Sequence, residues 1–215
     1  MRFLALLCIV ARVAQQIVAA APVRTVMLGA GTPAHVLVQD PLAFLFAIHG
    51  IGLSLGFFWT PFSYVFLHVS WLHLAMNLIG LFVFGSAVET TVGRRTMFRL
   101  FFGSGLVGGL AWITASGLAS AQPCMGASAA VLGLAGAYAA LRPRDEFVLY
   151  LPLPIVLTSW QLAVLLLVVN ALELRFVESN VAYLAHLAGI VAGIAAGIVL
   201  RLLKRDPRSS SRSAT

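Results

Sequence analysis

The sequence predicts an all-α membrane protein: six transmembrane helices in one bundle, with a long outer loop between the first and second. Three observations carry this reading. Of the 215 residues, 60% are hydrophobic and 10% charged, against about 25% charged in an average soluble domain. A surface that apolar cannot face water, so its solvent is lipid. Apolar runs also recur near the roughly 20 residues a helix needs to cross a bilayer. Finally, the basic residues cluster on alternate connections, as the positive-inside rule requires. The clusters are Arg94, Arg95 and Arg99; Arg142 and Arg144; and Arg201, Lys204, Arg205, Arg208 and Arg212. This placement explains the net charge of +7 by topology and argues against nucleic acid as a partner.

The first span is read over residues 3–21, interrupted by Arg12, Gln15 and Gln16. Arg2 before it and AAAP after it also fit a signal peptide. A charge inside the apolar core fits a retained helix better, with Arg12 snorkelling or facing neighbouring helices. The run PLAFLFAIHGIGLSLGFFW (41–59) is apolar but holds three glycines and His49. It is expected to lie in the interface or re-enter rather than span. The remaining spans are read over 66–88, 97–118, 126–141, 150–172 (entered through Pro152 and Pro154) and 181–203. Residues 1–205 then form one membrane domain, and DPRSSSRSAT (206–215) a polar, disordered cytoplasmic tail. Both termini lie inside. The connections 22–65, 119–125 and 173–180 lie outside, where Arg24 and Arg175 are the chief basic residues. The two cysteines, Cys8 and Cys124, show no metal-ligand spacing.

Polar side chains in hydrocarbon are costly and usually have a task. Ser128 lies in GASAAVLGLAG and His186 in AHLAGIVAGIAAG, on helices that both enter from outside. A serine hydroxyl becomes a nucleophile when a neighbouring base takes its proton, and neutral histidine suits that role. No acid lies in the motif runs, so the expected unit is a Ser128–His186 dyad. On the second span, His73 and Asn77 are four residues apart and share a face. Both can donate hydrogen bonds to an oxyanion, and the Ser128 backbone N–H at its helix start can join them. His68 lies off that face, nearer the water, and is read as holding the outer loop or water. The competing reading of the trio is polar packing or a metal site, but a third ligand on the same face is missing. Gly189, Gly193 and Gly197 recur every four residues after His186. With Gly126, Ala129, Ala130, Gly133 and Gly136 they let two helix backbones approach closely.

These residues resemble the rhomboid family of intramembrane serine proteases, from about Trp59 to Gly197. HVSWLHLAMN resembles the family's second-helix motif, and Glu89 in GSAVE matches the glutamate that ends that helix. GASA resembles the GxSG around the nucleophile, which assigns that role to Ser128 and a supporting one to Gly126. AHLAGIVAG resembles the sixth-helix motif and assigns the base to His186. WTPFSYVFLH resembles the approach to the second helix, with Trp59 where the outer loop ends. The resemblance implies a six-helix core, a water-filled site open to the outer side, and single-pass transmembrane proteins as substrates, cut in or beside a locally unwound helix. It implies no cofactor and no metal. Three positions depart from the pattern: Ala129 replaces the glycine after the nucleophile, Leu132 stands where an aromatic often stacks on the base, and Thr60 follows Trp59 where arginine or glutamine is common.

Two other readings use the same residues differently. A rhomboid-like pseudoprotease would bind membrane helices without cutting, and would have no need of Ser128, His186, His73 and Asn77 together. A transporter or channel would show internal repeats and charged pathway residues; there is no repeat, and Arg12 is the mid-span charge. A bacterial plasma membrane suits a short chain without extra soluble domains.

Overall fold

The computed structural model describes residues 1–19, 24–27, 35–38, 40–151, 153–176 and 182–205. The expected tail, 206–215, lies outside the described residues, as do parts of the outer connections 22–65 and 173–180. In chain order the elements begin with α1 (Arg2–Ala19), a short antiparallel hairpin of β1 (Arg24–Met27) and β2 (His35–Val38), and three short helices, α2 (Pro41–Phe46), α3 (Gly50–Ser54) and α4 (Thr60–Ser63). The second long helix is continuous from Trp71 to Val92: α5 (Trp71–Gly80), a π-helical segment (Leu81–Gly85) and α6 (Ser86–Val92). Then come α7 (Arg94–Ser116), α8 (Ser128–Leu141), the hairpin of β3 (Glu146–Leu151) and β4 (Leu153–Thr158), α9 (Ser159–Phe176) and α10 (Tyr183–Arg205). Among the described residues, five helices are long and apolar enough to cross a membrane: α1, α5–α6, α7, α9 and α10. α8 is apolar but has only 14 residues.

Two expected spans change. The run expected to span 150–172 becomes helical only at Ser159, and the residues before it pair as β3 and β4, with Val148 opposite Val156 and Tyr150 opposite Pro154. Proline inside a helix removes a hydrogen bond and clashes with the preceding turn, while β-branched valine and isoleucine fit a pleated ladder. The second span starts at Trp71 rather than 66, because Ser70 caps it: its Oγ accepts the His73 backbone N–H at 3.0 Å. It ends where Gly93 takes φ +81°. Residues 41–59 break into α2 and α3, followed by the turn that leads into α4.

The polarity of the molecule is inverted relative to a soluble bundle. On α1, Phe3, Leu6, Val10, Val13 and Ile17 point outward at three- and four-residue spacing, while Gln15 is fully buried. Gln15 has a structural task. Its Nε2 donates to Asp40 Oδ2 at 2.8 Å, and its Oε1 accepts the His68 backbone N–H at 3.0 Å. Arg12 faces a neighbour, its guanidinium 5.5 Å from the Trp71 ring, and bonds Gln16. Such polar groups are worth burying only when partnered.

α8 forms the centre of the bundle, with ten of its 14 residues buried. It is packed against α7 and α10, so it does not need the full length of a lipid-facing helix. Backbone lies on backbone at this contact. A Cβ on Gly193 would collide with the Gly133 carbonyl oxygen, and one on Gly189 with that of Ala129; one on Gly197 would come 2.6 Å from that of Ala137. The pairs 129–189, 133–193 and 137–197 advance together, so α8 and α10 run parallel, with their N-termini at the same end. Gly193→Leu should therefore lower stability by about 3 kcal/mol or more, whereas Gly103→Ala, whose Cβ would meet nothing within 4 Å, should be neutral or stabilising by up to about 1 kcal/mol. Thermal unfolding of the two variants in detergent checks both; equal melting temperatures would contradict the contact.

Candidate active site

The parallel register of α8 and α10 brings two polar side chains together. Ser128 is the first residue of α8 and His186 lies in the first turn of α10. Ser128 Oγ and His186 Nε2 are 2.7 Å apart. The imidazole's other nitrogen, Nδ1, is 2.8 Å from Asn170 Oδ1 on α9. A hydroxyl bonded to a neutral imidazole can be deprotonated as it attacks an electrophile. The expected pair is thus in contact, and it has a third polar neighbour.

Asn170 is absent from the sequence-based expectation, which looks for an acid. The signal for it is a lone buried amide in the apolar run LAVLLLVVNAL, where a polar group is costly without a partner.

The chain leading into Ser128 is held from two sides. Ile48 and Cys124 exchange backbone hydrogen bonds of 3.1 and 2.9 Å, and the Gly126 N–H donates to the Tyr64 carbonyl at 3.0 Å. Tyr64 is itself anchored, its hydroxyl donating to the Gly105 carbonyl at 2.6 Å. Gly126 is required on two counts. Its φ of +128° is disfavoured for other residues, and a Cβ there would lie 2.6 Å from His73 Cε1. The expected supporting glycine is therefore the seat of the His73 ring.

His73, Asn77, Gly126, Ser128, Leu132 and His186 all line one cleft of about 660 Å³. Its other walls are largely apolar, including Met76, Ile79, Val83 and Val131. Asn77 is buried, and its Nδ2 donates to the His73 carbonyl at 2.9 Å. One amide hydrogen remains for another acceptor. His73 Nδ1 is buried and unpartnered among the described residues. The Ser128 N–H opens α8, so it has no carbonyl four residues back within the helix. Cys124 also lines the cleft, but burial pushes its thiol up to about 12. It is a protonated thiol near neutral pH and not a competing nucleophile.

The remaining expected residues fall elsewhere. His68 is fully buried before α5, its ring edge-on to His73 at 5.1 Å and its Nδ1 3.2 Å from the Phe66 carbonyl, with Nε2 unpartnered among the described residues. It precedes the Ser70 cap, so it turns into the contact with α1 that Gln15 closes. Trp59 is half exposed. Its Nε1 donates to the Leu45 carbonyl at 2.8 Å, and it stacks on Phe57, so it ties the short helices together away from the cleft. Glu89 lies 16 residues beyond His73 along one helix, roughly 24 Å away, with its carboxylate 3.6 Å from the N-terminal ammonium. The methyl that Ala129 adds is accommodated by Gly108 opposite it, where a second Cβ would come within 2.6 Å. Leu132 does not stack on the imidazole; Tyr183 meets it edge-on at 6.1 Å. Among the described residues no cluster of three or more histidine, cysteine or acidic side chains is placed to hold a metal.

Comparison with known proteins agrees with the motifs. Residues 55–203 match the family model of the rhomboid domain. The chain is 27% identical over 146 residues to a rhomboid protein, YdcA, of Bacillus subtilis (strain 168), a stretch covering 67% of this chain and 68% of that one. It is 29% identical over 154 residues to the rhomboid protease GluP of the same organism, covering 71% of this chain and 28% of GluP. It is 30% identical over 131 residues to the mitochondrial Rhomboid protein 1 of Saccharomyces cerevisiae (strain ATCC 204508 / S288c), covering 60% and 38%. The chain thus spans well under half the length of the last two. With the match covering more than half its residues, this multi-pass membrane protein belongs to the rhomboid family.

Proposed function

We propose that this chain is an intramembrane serine endopeptidase that cuts single-pass transmembrane proteins in or beside their membrane helix, with Ser128 as nucleophile and His186 as base. The observation that carries this reading is the 2.7 Å contact between Ser128 Oγ and His186 Nε2 inside a cleft that also holds His73 and Asn77. A module that only binds helices has no use for a serine bonded to a neutral imidazole.

The chemistry follows from the arrangement. Ser128 Oγ adds to the scissile carbonyl carbon as its proton passes to His186 Nε2. The carbonyl oxygen becomes an oxyanion, and the donors facing the cleft are His73, the free amide hydrogen of Asn77 and the Ser128 N–H. His186 then gives the proton to the leaving nitrogen, the C–N bond breaks, and the acyl half remains as an ester on Ser128. A water molecule, deprotonated by His186, hydrolyses that ester, releasing a carboxylic acid and restoring the serine proton. No metal or cofactor takes part in this scheme. Trp59, His68 and Glu89 act as structural supports rather than in the chemistry.

The setting follows from the helices. α8 is about 21 Å long against about 30 Å of hydrocarbon. With its C-terminal end at the inner face, beside Arg142 and Arg144, Ser128 is recessed from the outer face. We place residues 1–205 in one six-helix membrane domain, in a bacterial plasma membrane, with both termini cytoplasmic and lipid as the surrounding partner. An apolar cleft wall suits an unwound stretch of a transmembrane substrate.

Purified protein in liposomes with a tagged single-pass substrate tests the reading. Ser128→Ala should abolish cleavage while leaving the melting temperature unchanged; persistent cleavage would remove Ser128 as nucleophile. Asn77→Ala should lower kcat by about 10²–10³-fold, read from initial rates at saturating substrate. An unchanged kcat would take Asn77 out of the oxyanion site.

A further inference from the structure

The contact between His186 and Asn170 answers a question that the serine–histidine pair leaves open. A neutral imidazole carries one proton, on Nδ1 or on Nε2, and only the Nδ1–H form presents a lone pair to Ser128. The energy difference between the two forms is small in water, so a base buried in a membrane protein needs a fixed neighbour to choose between them.

Asn170 makes that choice through its own hydrogen bonds. Its Nδ2 is 2.8 Å from the Leu166 carbonyl, one turn back on α9. A carbonyl oxygen can only accept, so the amide nitrogen must be the atom facing Leu166. The amide orientation is therefore set by chemistry and not by how the two similar atoms are assigned. Oδ1 is then the atom facing His186 Nδ1 at 2.8 Å. Oδ1 can only accept as well, so Nδ1 carries the proton. Nε2 is left with its lone pair toward Ser128 Oγ. The chain Leu166 carbonyl, Asn170 amide, His186 imidazole and Ser128 hydroxyl has one consistent direction of donation. Asn170 is buried to 6% exposure, so water does not compete for this bond. We propose that Asn170 is a positioning residue, holding His186 in the Nδ1–H tautomer and in the ring orientation that the Ser128 contact requires. This rests on the proposed role of Ser128 and His186 as nucleophile and base.

An amide supplies the acceptor without the stability cost that a carboxylate would carry here. The nearest cation on α9, Arg175, lies over the Phe176 ring, and an unpaired carboxylate in low dielectric is expensive. The titratable groups facing His186 are few. They are His73, Cys124 and Tyr64, which line the same cleft, and Tyr183 on its own helix, with Glu173 three residues beyond Asn170 on α9. On α7, which meets this end of α10 through Gly108 and Ala185, the nearest arginine is Arg99, roughly 14 Å down the helix. On α8 the nearest titratable side chain is Tyr138, roughly 15 Å below Ser128. The partner that the structure gives His186 Nδ1 is Asn170 Oδ1, at 2.8 Å.

The test compares the full chain, unmutated, with Asn170→Leu, Asn170→Ala and Asn170→Asp in detergent. Leucine removes the acceptor at similar volume, alanine gives a second removal should leucine fail to fold, and aspartate restores an acceptor. Two readouts are taken: the ¹⁵N resonances of His186 in protein labelled at histidine, assigned by their loss in His186→Gln, and the rate at which a fluorophosphonate probe labels Ser128. The unmutated protein should show a single Nδ1–H tautomer. The leucine and alanine variants should lose it and label about 10- to 100-fold more slowly, with KM for a transmembrane substrate unchanged. Aspartate should recover most of the labelling. An intact Nδ1–H tautomer with unchanged labelling in the leucine or alanine variant would overturn the proposal, as would aspartate labelling no faster than leucine. A failure of the underlying reading looks different: the unmutated protein itself would neither label nor cleave, whatever its tautomer.

Discussion

Everything in this molecule depends on two helix backbones touching. α8 and α10 are brought into contact by glycines four residues apart, and the contact works only because Gly189, Gly193 and Gly197 have no side chains where Ala129, Gly133 and Ala137 present their carbonyls. The hydrophobic effect does not drive association between helices that are already in lipid, so close packing must supply the attraction instead. The register of this contact has a chemical result. It sets the first residue of α8 beside the first turn of α10, and so puts Ser128 against His186.

The rest of the fold keeps that geometry in place. The short helices after α2 join to the segment before Ser128 through Ile48 and Cys124, and Tyr64 reaches across to Gly105 on α7. Gln15 links α1, Asp40 and the backbone of His68. Tyr64, Gln15 and His68 are buried, and each of these contacts bridges two parts of the chain. In a lipid-facing protein buried polar contacts take over the specifying role that an apolar core has in water, because apolar surface is equally content inside or out.

Much of this was legible in the sequence because it depends on spacing. The glycine ridge, the His73–Asn77 face and the positions of Ser128 and His186 are all periodic features, and the family relationship follows from the same motifs. Other features depend on contacts that spacing does not encode. The run FVLYLPLPIVL is as apolar as a span, and only its prolines and β-branched residues distinguish the hairpin it forms. Spacing puts His68 toward the watery end of its helix, while the Ser70 cap starts the helix after it and leaves it buried. Asn170 could be noticed as a polar residue among leucines and valines, but nothing local says that it faces a histidine 16 residues on.

The central claim is that His186 activates Ser128. The most direct measurement is to map the adduct of a mechanism-based serine inhibitor by mass spectrometry, in the unmutated protein and in His186→Ala. The account predicts one adduct, on the peptide holding Ser128, and its loss when His186 is replaced in a variant that stays folded. An adduct on another residue, or undiminished labelling of Ser128 without His186, would contradict it.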